Sequence, residues 1–105
     1  MGMRTSDLVV KHETSVTANS NTVSHYLQVG TERFWFEEDT KVSVFLVNGR
    51  QFPRMEDAIM RALLVFRDQI SSKSYLGESG EDILNAIDLE IDRQVASRRR
   101  LVGAR

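Results

Sequence analysis

His12 and His25 are the side chains of this 105-residue chain that titrate near neutral pH without perturbation. They sit in two stretches of alternating polarity, Leu8 to Thr17 and Thr22 to Val29. Pairing Thr17 with Thr22 in a hairpin sets Thr14 opposite His25 and His12 opposite Leu27. The imidazoles then share one sheet face as diagonal neighbours, about 7–8 Å apart at the backbone. That is half of a metal site. There is no third histidine and no cysteine, so carboxylates from elsewhere would have to complete it. The expectation is therefore two rim or partly buried histidines, with no metal and no cofactor.

Glu37, Glu38 and Asp39 form the densest acidic cluster. Consecutive carboxylates at a strand end alternate in direction and do not converge on one reacting atom, as an acid–base pair must. The following Thr40-Lys41 also lacks the alternating oxygen ligands of a calcium loop. Ser71, Ser72, Ser74 and Ser79 have no histidine near them in sequence, and no nucleophile elbow or phosphate loop is present. Val47-Asn48-Gly49-Arg50 reads as a turn. No enzyme is expected, and a small enzyme ranks third among the readings. Arg93, Arg98, Arg99, Arg100 and Arg105 are the one basic concentration. Such a cluster can neutralise phosphates, and exposed sheet aromatics beside it would let bases stack. The plainer reading is a helix C-terminus carrying favourable cations.

The elements that must position these groups are organised around Arg33 to Ile70, where the apolar period changes from two residues to about 3.6. Phe34, Trp35 and Phe36 put aromatic surface on both faces of one strand. Val42, Val44 and Leu46 alternate with Ser43, Phe45 and Val47 in the next, which suits a strand covered on both sides. Their register is open: a two-residue loop sets Trp35 across from Val44, and a loop one residue longer sets the phenylalanines there. Met55, Ile59, Ala62, Leu63, Phe66 and Ile70 then form a helical stripe, with Pro53 in the first turn and Glu56 and Asp57 at the positive end of the dipole. A second helix starts near Ser79, with Asp82 as its capping-box partner. Ile83, Ile87, Ile91 and Val95 form its stripe. Met60 and Leu64 lie outside the first stripe and Leu89 lies opposite the second, more apolar surface than two packed helices use.

The length suits one domain, residues 1–105, with ends expected to fray over about residues 1–6 and 99–105. A content of 41% apolar and 28% charged residues matches an ordinary globular protein, and a net charge of −1 supplies no global field for nucleic acid or an anionic membrane. Without cysteine there is no disulfide or thiolate chemistry. No apolar run approaches a membrane span and the start is polar, so a cytoplasmic location is expected.

These observations predict an α+β fold: a four-stranded antiparallel meander followed by two C-terminal helices, the first packed on one sheet face. The leading functional expectation is a non-catalytic protein-binding or regulatory module whose partner is another protein, including a second copy of itself as a homodimer through Met60, Leu64 and Leu89. The alternative is a nucleic-acid-binding module using the arginine cluster and the sheet aromatics.

Overall fold

The computed structural model describes residues 8–16, 21–73 and 77–103. The expected α+β architecture is present: an antiparallel sheet in meander order, then two helices. The strands are β1 (Lys11–Val16), β2 (Thr22–Val29), β3 (Glu32–Asp39), β4 (Val44–Val47) and β5 (Arg50–Phe52), and the helices are α1 (Met55–Ser71) and α2 (Glu78–Gly103). Among the described residues the sheet has five strands and not four. Asn48 and Gly49 both take positive φ, 49° and 83°, as a two-residue hairpin turn requires, and the chain doubles back so that Val47 pairs with Arg50. The short edge strand β5 ends at Phe52 because Pro53, which follows, has no N–H to donate.

Alternation decides which side chains enter the core. On the inner face lie His25, Leu27 and Val29 of β2, Phe34 and Phe36 of β3, and Phe45 and Val47 of β4, all buried. The stripe of α1 packs on them as expected, with Ala62, Leu63, Phe66 and Ile70 buried and Phe66 stacked on Phe34 at 5.9 Å. The other helix, α2, packs on α1 and reaches β2, burying Ile83 and Ile87 in the same core. Both helices thus cover one face. The expectation that the strand through Phe45 is covered on both sides does not hold: Val44 and Leu46 are only half-buried, and Val42 lies in the turn before β4 with its side chain exposed.

Two helix starts also differ from the sequence reading. Arg54 is extended and its carbonyl accepts the first helical bond from Ala58, so Pro53 precedes α1 and does not belong to its first turn. Gly77, at φ +56°, precedes α2, and its carbonyl accepts from the amides of Gly80 and Glu81. Ser79 is therefore already inside the helix and does not cap it; glycine reaches the positive φ found at that boundary more readily than serine. The acidic first turn of α1 is as expected, with Arg54 reaching Asp57 at 3.1 Å. Thr17 of the expected hairpin, with residues 18–20 that would close it, and residues 74–76 between the helices lie outside the described residues.

Candidate interaction surface

The register of the sheet builds two side-chain groupings, one on each face. On the outer face Tyr26 stands opposite Trp35 and Gln28 opposite Arg33. The Tyr26 and Trp35 rings meet at 4.6 Å, the Arg33 guanidinium lies 4.6 Å from the Tyr26 ring centre, and Arg33 Nε donates to Gln28 Oε1 at 3.0 Å. A cation over an aromatic face is attracted by the ring quadrupole, so these side chains hold one another in place. No further layer of described residues covers them, and Trp35 remains 51% exposed. The turn Thr40 to Ser43 has four residues and pairs Asp39 with Val44, so Trp35 shares the face of Val44 and Leu46 while the phenylalanines take the other.

The inner face carries the histidines. The hairpin has the anticipated register, Thr14 opposite His25 and His12 opposite Leu27, and the rings are indeed diagonal neighbours. His12 Nε2 and His25 Nδ1 are 2.9 Å apart, and His25 Nε2 is 3.1 Å from Glu38 Oε1. A carboxylate only accepts, so His25 Nε2–H donates to Glu38, leaving Nδ1 to accept from His12 Nε2–H. His25 is 2% exposed and is flanked by Phe36 at 5.0 Å and Phe45 at 5.9 Å. Partial desolvation of the His12 ring against the sheet lowers its pKa, the neighbouring His25 lowers it further, and Glu13 opposes both.

Sequence reasoning missed Glu38 as the third member. The signal was Gly30-Thr31: read as a two-residue turn, it pairs Val29 with Glu32 and carries the register on to Val23 and Glu38, diagonal to His25. Both nitrogens of the buried imidazole are occupied, the arrangement a core histidine needs. Among the described residues no group of three histidine, aspartate or glutamate side chains is placed to hold a metal ion. The surface hollows of about 150 and 210 Å³, around Gly80 and around Gly30, include none of His12, His25 or Glu38.

The other residues singled out by sequence lie on the helices. Met60 and Leu64 are half-buried and are not among the side chains packed against the core; Leu89 is 55% exposed. Arg98 donates to Asp57 at 2.8 Å and to the Glu56 carbonyl at 3.1 Å, tying α2 to the start of α1, and Arg93 pairs with Glu90 at 2.9 Å on its own helix. The side chains of Arg99 and Arg100, and all of Arg105, lie outside the described residues. Because α2 belongs to the layer on the inner face, Arg93 and Arg98 do not adjoin the Tyr26–Trp35 pair. No helix among the described residues is long and apolar enough to cross a membrane. No protein family, curated protein or solved structure matches the chain.

Proposed function

We propose that this chain is a small non-catalytic protein-binding module that self-associates, working in the cytoplasm, with the open sheet face around Trp35 as its binding surface. The observation that carries this reading is a half-exposed tryptophan, held by Tyr26 and Arg33, on a sheet face that no further layer of described residues covers. Rigid aromatic side chains of this kind dominate the energetics of protein interfaces, because they bury large area at low entropic cost. Met60, Leu64 and Leu89 on the helical layer offer further apolar surface for the same role.

Nucleic-acid binding is the second reading, supported by the stacked rings and Arg33. Against it, the outer face also presents Glu13, Glu37 and Asp39, and Arg98 is already engaged by a carboxylate. Sedimentation velocity from low to high micromolar concentration, run beside salt-titrated binding to single- and double-stranded nucleic acid, tests the choice. The expected result is a concentration-dependent increase in mass and no submicromolar nucleic-acid binding at physiological salt. A mass that stays monomeric throughout, or tight salt-sensitive nucleic-acid binding, overturns it.

A further inference from the structure

Along β3 the outer face reads Arg33, Trp35, Glu37 at two-residue intervals. Arg33 and Glu37 are exposed and about 13 Å apart along the strand, too far to pair with each other. Neither has an ion-pair partner among the described residues. The charges are thus opposite in sign and equally spaced about the exposed tryptophan.

We propose that a second copy of this chain docks on this face, related by a two-fold axis that lies in the interface plane, perpendicular to β3 and beside Trp35. This operation reverses the strand direction and carries each position to the same distance beyond Trp35. Arg33 of each copy then stands over Glu37 of the other, forming two symmetry-equivalent ion pairs. Tyr26 and Trp35, level with each other in the sheet, form the apolar centre between them. Two charges antisymmetric about an aromatic centre make that stretch of the face complementary to itself, which is what an isologous interface requires, and Lys11 and Asp39, also on this face, have no like-charged position opposite them under this operation. Two sheets packed face to face stand about 10 Å apart, a gap that side chains of this length fill from both sides. Glu13, opposite Tyr26 on β1, falls near its own symmetry mate and is the like-charge contact of the arrangement.

The inference rests on the self-association reading above, and charge reversal tests it separately. Arg33→Glu or Glu37→Arg alone makes both pairs repulsive, so each variant associates at least about tenfold more weakly than the wild type. Mixed in equal amounts, the two variants form a heterodimer in which both pairs are attractive, and sedimentation velocity shows wild-type-like association restored. The double variant Arg33→Glu/Glu37→Arg recovers as a homodimer, and Glu13→Gln tightens association. Circular dichroism melts verify that each variant folds. Should a reversal fail to fold, Arg33→Gln and Glu37→Gln replace it: each weakens association and reduces its salt sensitivity, and unchanged salt sensitivity refutes the pairing. A wild-type chain that stays monomeric refutes self-association itself. Dimerisation indifferent to either reversal, or no recovery in the mixture, refutes this two-fold arrangement alone.

Discussion

Replacing His25 separates packing from hydrogen bonding at the one buried polar side chain among the described core residues. Its ring is 2% exposed between Phe36 and Phe45, so His25→Ala leaves a cavity, and large-to-small core changes of this kind cost about 2–5 kcal/mol. Each lost hydrogen bond adds about 0.5–1.5 kcal/mol. The abandoned partners are not stranded, because the Glu38 side chain is 27% exposed and His12 is exposed, so water replaces the imidazole at both. With both partners rehydrated, a loss of at least about 3 kcal/mol is expected, the low end of the cavity term plus the low end of two hydrogen bonds. His25→Phe keeps a flat ring between the phenylalanines and exchanges the two hydrogen bonds for apolar contact. Its slightly larger ring costs about 1–2 kcal/mol through overpacking. With an unfolding entropy of about 2.1 cal/mol/K per residue, this 105-residue chain loses about 4–5 °C of Tm per kcal/mol. His25→Ala should therefore lower Tm by about 14 °C or more and His25→Phe by about 9 °C or less. Calorimetry at pH 7.5 measures both. A phenylalanine variant melting as low as the alanine variant would show that the Glu38–His25–His12 hydrogen bonds, and not the ring stack, hold this corner of the fold.

Phe66, 1% exposed and stacked on Phe34, is the corresponding apolar test: Phe66→Ala should cost about 3–5 kcal/mol and about 14–23 °C of Tm. An unchanged Tm would mean that α1 presents a different face to the sheet. His12 sets a pH dependence. Its folded pKa lies below the ordinary 6.5, so its contribution to stability is fully present above pH 6.5 and is lost as the pH falls through the lowered folded value. Melts across this range should show the decline, and His12→Gln should flatten it; an equal decline in both chains would assign it to other groups. Deleting residues 98–105 removes four arginines and no carboxylate, taking the formal net charge from −1 to −5. The loss of the half-exposed Arg98–Asp57 pair should cost only about 1 kcal/mol, read by chemical denaturation, and self-association should persist. Collapse of the fold would show that the end of α2 is structurally necessary.

Local pattern was enough for the elements whose periodicity has one reading. The α1 stripe, the two-residue alternation of β2 and the diagonal placement of His12 and His25 follow from the positions of apolar residues and one short hairpin. Strand β5 was also encoded, in Asn48-Gly49, but a three-residue strand has too little alternation to announce itself, and its pairing is what makes it a strand. Pro53 and Ser79 illustrate the opposite difficulty. Each suits a helix start by type, yet the boundary falls where backbone carbonyls meet their amides, at Arg54 and Gly77. That Phe34 and Phe36 face one way and Trp35 the other is legible in their spacing alone, because alternation is a property of extended backbone. Which of those faces the helices cover is not legible there, since both offer aromatic surface and the choice depends on how the connection through β5 lays α1 across the sheet. The same is true of Glu38, whose meeting with His25 needs β2 and β3 in register, and of Arg33 and Glu37, whose lack of an ion-pair partner among the described residues depends on both helices lying on the far face. These are relations between elements, and no single stretch of chain contains them.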